Sequence, residues 1–191
     1  RKYASVAPSS SHALHMPSHI FTRLGLWNEC ISSNLDAKSS AQCYAQSTGI
    51  KGHWHEELHA LDYVVYGYLQ KGDNDSAKVE IDYANTIKEV NPFNFKVAYA
   101  FAAMPSRYAL ENRDWKQAAG LTLYNDAFPW KNFPWQKGIL YFARLIGSAR
   151  SGNVSAAQAD LAALNTFRDE LLKQKDNYKA NQVNIQIRTG E

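Results

Sequence analysis

The feature that most constrains the fold is a short pattern that returns about every forty residues. It reads R-L-G-L-W-N-E-C at 23–30, Q-K-G-D-N-D-S-A at 70–77, E-N-R-D-W-K-Q-A at 111–118 and R-S-G-N-V-S-A-A at 150–157. Each copy joins a tight turn to a helix start, with a small residue where two backbones cross. Between the copies apolar residues recur every three or four positions, the period of an amphipathic helix. Strand signals are nearly absent. Further breakers stand at Pro8, at 49–52, at Asn91-Pro92, in the Phe128-Pro129-Trp130 and Phe133-Pro134-Trp135 pair, and at Asp176. They cut the chain into helices of about 14–20 residues joined by short turns. The expectation is all-α: one domain over 1–191, with helical hairpins roughly at 10–48, 53–90, 92–128 and 133–174 and a partial helix at 176–190.

All six histidines fall in two short stretches. His12, His15 and His19 lie in S-H-A-L-H-M-P-S-H; His53, His55 and His59 lie in G-H-W-H-E-E-L-H-A-L-D, and none follows. At about 100° per residue, His12, His15, His19 and Arg23 share one helical stripe. His55, His59, Asp62 and Tyr66 share another, while His53 falls on the opposite side and reads as a helix-start residue. Imidazole is the commonest metal ligand and the group best suited to proton transfer near neutral pH. Pro17 interrupts the first stripe. It either kinks the helix or starts it afresh after an extended lead-in, in which case His12 and His15 leave the stripe.

The repeated segments resemble the tetratricopeptide-repeat family. The matching residues are Gly25, Trp27 and Cys30; Gly72 and Ala77; Trp115 and Ala118; Gly152 and Ala157; and Pro8 and Pro92 match the closing proline. Arg113 stands where glycine is usual, and the repeat is longer than standard. The stretch H-A-L-H-M-P-S-H-I-F-T-R-L-G-x-W is also similar to uncharacterised bacterial proteins of this type. The resemblance implies a right-handed α-solenoid whose first helices line a concave groove, a binding surface for a peptide, a protein or a small ligand. It places both histidine stripes on neighbouring groove-lining helices, about 10 Å apart.

A shared site from His12, His15, His19, His55, His59 and Asp62 has the nitrogen and carboxylate donors of a transition-metal site, zinc first. Two other readings stand beside it: a metal-free site for a peptide or small ligand, and plain packing. Arg23, Tyr66 and Arg107 are candidate ligand-binding residues, the arginines because their forks suit carboxylate or phosphate. H-E-E-L-H also fits H-E-x-x-H, in which two histidines hold zinc and the glutamate activates water. That pattern makes Glu56 the candidate catalytic residue of an alternative hydrolase.

The net charge of +3 is spread without a dense basic stripe, which argues against a nucleic-acid surface. No apolar run reaches the roughly 20 residues of a membrane span, and no targeting signal is visible. Cys30 and Cys43 on one helix would lie about 20 Å apart, too far for a disulfide, so free buried thiols are expected. The chain opens on Arg1. Residues 2–7 read as the tail of a preceding helix, and 177–190 as a first helix without a partner. The whole reads as a fragment of a longer array.

Overall fold

The computed structural model describes residues 6–125 and 127–191. The helix tail expected over 2–7 lies mostly outside them. The described chain is mostly helical and divides into two compact units, residues 1–100 and 101–191.

In the first unit, α1 (Ser11–His15) and α2 (Ser18–Leu24) are followed by α3 (Trp27–Thr48), α4 (His55–Gln70) and α5 (Asn74–Ala84). Strand signals are nearly absent from the sequence, yet two residues, β1 (His53–Trp54), pair in parallel with β2 (Val90–Asn91). This bridge fixes where α4 begins. Helix α6 (Phe95–Glu111) starts in this unit and ends in the next. Helices α3 and α4 lie side by side, and α1 packs on both. Gly67 permits the α3–α4 approach: a Cβ there would sit 2.7 Å from Ile31 Cγ1. Helix α4 is buried on several sides through Leu58, Leu61, Val64 and Val65.

In the second unit α7 (Trp115–Ala119), a 3-10 turn (Trp130–Asn132), α8 (Pro134–Arg150), α9 (Val154–Lys173) and α10 (Asn177–Gly190) follow the end of α6. Helices α8, α9 and α10 contact one another around Leu145, Leu164, Phe167, Leu171, Val183 and Ile187. Helix α7 has only five residues, far short of the expected length. After Gly120 the chain leaves the helix, and aromatic contacts hold it instead. Tyr124 stacks on Phe101 at 4.9 Å, Phe128 meets Phe101 at 5.3 Å, and Trp130 Nε1 donates to the Tyr124 carbonyl. Pro134 opens α8, where a missing N–H costs nothing.

The repeated segments share one turn geometry. Gly25, Gly72, Arg113 and Gly152 all have positive φ, between 54° and 78°. One residue on, the amides of Leu26, Asp73, Asp114 and Asn153 reach back five residues to a helix carbonyl, each at 2.9 Å. This is the Schellman closure, which satisfies carbonyls at a helix end. Asp73, Asp114 and Asn153 then cap the next helix through the amides of Ser76, Gln117 and Ala156. Lys175 and Asp176 repeat the device before α10. Arg113 and Lys175 therefore adopt a backbone conformation that favours glycine.

Cys30 and Cys43 share α3 and are both free, as expected. Cys30 is buried, but Cys43 is exposed, because position 43 falls outside the Ala37, Ala41 and Ala45 face that α3 turns inward.

Candidate metal centre

Pro17 has no N–H, so the hydrogen-bond ladder breaks between α1 and α2. The path of the chain hardly changes, because Met16 (φ −51°, ψ −39°) and Pro17 (φ −60°, ψ −25°) stay helical. The extended lead-in does not occur. Serine hydroxyls serve two carbonyls at the break: Ser18 Oγ donates to His15 O at 2.6 Å, and Ser33 Oγ donates to Leu14 O. His15 and His19 thus keep their i,i+4 relation across the proline, with Nε2 atoms 3.1 Å apart.

His59 reaches them from α4. Its ring centroid lies 4.3 Å from that of His15. One ligating nitrogen each from His15, His19 and His59 falls within 4.8 Å of the others. Two nitrogens of a tetrahedral zinc site, with bonds of about 2.0–2.1 Å, lie about 3.3 Å apart. The His15–His19 separation is already close to that edge, and His59 needs a small inward movement.

Hydrogen bonding sets which nitrogen of His15 carries its proton. Asn34 Nδ2 donates to the Cys30 carbonyl at 2.7 Å, so its Oδ1 faces His15 Nδ1, also at 2.7 Å, as an acceptor. His15 must then be protonated at Nδ1, leaving the Nε2 lone pair turned toward the cluster. Without metal, His19 Nε2–H donates to that lone pair, and Tyr63 O–H donates to His19 Nδ1 at 3.0 Å. For both Nε2 atoms to bind a cation, the proton of His19 must move to Nδ1 and the Tyr63 contact must reverse. A phenol tolerates this, because it both donates and accepts.

The trio is electrically neutral near pH 7. Burial lowers His15 to about 4, against the opposing hydrogen bond that it donates to Asn34, and the His19 charge lowers it further. Burial lowers His59 to about 3, assisted by the charges of His15 and Lys96. His19 is lowered chiefly by burial and then by His12. Neutral imidazoles offer lone pairs, so a cation need not displace protons from these ligands until the solution is acidic.

The other residues singled out in the sequence lie around or away from this trio. His12 is exposed, and its Nδ1 is 3.8 Å from Glu56 Oε2. His55 is the first residue of α4; its Nδ1 is 3.5 Å from Glu56 Oε1 and has no hydrogen-bond partner. Glu56 is buried and paired with Lys96 Nζ at 2.6 Å. Thus His59 of H-E-E-L-H joins the trio while His55 and Glu56 do not. Asp62 is buried on α4 and is not one of the converging groups. Tyr66 stands edge-on to Trp27 at 5.6 Å. Arg23 is exposed at the end of α2, and Arg107 is half-buried on α6 in the second unit.

His53 does not open the helix as expected. It lies on β1, and its Nδ1 meets Glu57 Oε2 at 2.8 Å. Glu57 is fully buried, and Gln42 Nε2 and the Tyr83 hydroxyl also donate to it.

Sequence reasoning missed Asn34, Tyr63 and Lys96. A signal existed for two of them. Asn34 sits on the apolar face of α3 with Cys30, Ala37 and Ala41, where an amide needs a partner. Tyr63 is one turn beyond His59, on the same face. Comparison with known proteins returns no match: no family model, no curated protein and no solved structure matches the chain.

Proposed function

We propose that this protein binds a divalent transition metal, zinc first, between α1–α2 and α4 through His15, His19 and His59. The observation that carries the reading is the convergence of three imidazole nitrogens within 4.8 Å. The donor chemistry supports it. Neutral nitrogen ligands suit zinc, cobalt, nickel and copper, whereas calcium and magnesium require oxygen. Two of the three rings also have the outer partner typical of metal-bound histidine, Asn34 on His15 and Tyr63 on His19.

The wider reading is a tetratricopeptide-like binding module, a right-handed solenoid whose concave groove takes a peptide, a protein or a small ligand. The shared turn at Gly25, Gly72, Arg113 and Gly152 supports the repeat. Within that reading the metal centre orders the first hairpin or presents itself to the ligand. The hydrolase alternative has less support, since Glu56 is bound to Lys96 and His55 stands apart from the trio. Among the described residues no helix is long and apolar enough to cross a membrane.

Equilibrium dialysis of the purified chain against zinc, followed by elemental analysis, tests the proposal. One equivalent retained at neutral pH is expected. None retained, in a correctly folded sample, refutes it.

A further inference from the structure

Two imidazoles of the trio, His15 and His19, have their second nitrogen engaged by a neighbour, and a further imidazole nearby has a carboxylate close to its own second nitrogen. His12 lies one helical turn before His15. Its Nδ1 is 3.8 Å from Glu56 Oε2, while Lys96 Nζ holds the other carboxylate oxygen at 2.6 Å. With Nδ1 on the Glu56 side, His12 has Nε2 left for another partner. A carboxylate behind a histidine is the commonest outer arrangement of a metal ligand, because it fixes the ring and raises its basicity.

Distance and mobility fit as well. The His12 and His15 ring centroids are 6.3 Å apart. In a tetrahedral site with zinc–nitrogen bonds of about 2.0–2.1 Å, two ligand rings have centroids about 5 Å apart. His12 therefore stands roughly 1 Å outside coordination distance. Its side chain is 55% exposed, so a small rotation sacrifices few contacts. His55 and His53 also have Nδ1 beside a carboxylate, Glu56 and Glu57, but both precede His59 at the start of its helix, whereas His12 stands one turn before His15 with the two rings 6.3 Å apart.

We propose that His12 is the fourth ligand of the centre, closing the coordination sphere through Nε2 while Glu56 holds Nδ1–H from behind. This rests on the metal reading above and sharpens it. Four histidines leave no open position for water or substrate, so the closed site is a binding or structural centre. Glu56 then serves His12 as a positioning residue. An open site would return H-E-E-L-H to consideration as hydrolytic machinery.

Cobalt(II) in the intact chain, read by visible absorption, separates these cases. The unsubstituted protein is expected to give an intense tetrahedral spectrum that azide leaves unchanged. His12→Ala is expected to bind cobalt about 10- to 100-fold more weakly, with a spectrum that azide now shifts. Glu56→Gln is expected to keep the azide-insensitive spectrum with about tenfold weaker affinity. An azide shift in the unsubstituted protein, or a His12→Ala variant that matches it in affinity and spectrum, overturns the fourth-ligand assignment alone. Failure of the unsubstituted protein to bind cobalt overturns the metal reading and this inference with it.

Discussion

In residues 101–191 the space between α8, α9 and α10 is filled by Leu145, Leu164, Phe167, Leu171, Val183 and Ile187. In residues 6–100 the space between α1, α3 and α4 holds His15, Asn34 and Ser18, all nearly inaccessible. Both units turn their chain with the same Schellman closure and Asp or Asn cap, so local backbone chemistry does not separate them. They differ in what the helices bury. Apolar burial contributes about 25 cal/mol per Å², whereas a buried polar group costs stability unless its partners are in place. The buried His15–Asn34 pair is a costly way to fill a core, and His19 with Tyr63 carries its hydrogen-bonded chain out to an exposed ring. The second unit buries polar groups as well, among them Gln136, Ser148 and Asp160, the last paired with Arg144. What is particular to the first unit is that its polar groups are imidazoles converging on one point.

The largest effect is expected in the apolar unit: Leu164→Ala, at a fully buried site, should cost about 2–5 kcal/mol in urea or thermal unfolding. Metal affinity should be unchanged at temperatures where the variant is folded; a parallel loss of affinity would erase the contrast between the units.

Acid should act on the other half. Because burial depresses His15 to about 4 and His59 to about 3, the unfolded chain binds protons that the folded chain refuses. Stability of the first unit should therefore fall as pH drops from about 6.5 toward 3–4, and rise again on return. Replacing His59 with Gln should flatten this slope in an unfolding series across that range. An unchanged slope would mean that the cluster is not buried in its neutral form.

A smaller effect is expected from Tyr63→Phe, which removes the outer partner of His19 and leaves its ring in place. Zinc affinity should fall about tenfold, with little change in melting temperature. The smallest effect concerns the shared frame. Arg113 has φ 54°, so Arg113→Gly should stabilise the chain by about 0.5–1 kcal/mol, read from the unfolding midpoint.

The all-helical fold was legible because breakers and the three-to-four residue period agree along most of the chain. Arg113 departs from the glycine usual at its turn, and the structure shows the turn kept with arginine in the glycine conformation. The short α7 was not legible, since the aromatic contacts that replace its later turns join Phe101 to residues that follow a break. At the site, His15 and His19 could be paired from their spacing. The fate of H-E-E-L-H could not be read that way. Its i,i+4 spacing suggests two ligands on one face, but His55 directly follows an extended Trp54 (φ −85°, ψ 139°), and its ring sits beside Glu56. Asp62 and Tyr63 are three and four residues beyond His59, offset about 60° one way and 40° the other. Tertiary packing chose Tyr63, and sequence periodicity alone had no means of deciding between them.

The decisive experiment on the metal centre is calorimetric titration of zinc into the intact chain and into its His59→Ala variant. One equivalent should bind at neutral pH to the first, and binding to the second should be at least 100-fold weaker with its helical content intact. Equal binding by both, or by neither, would contradict that centre.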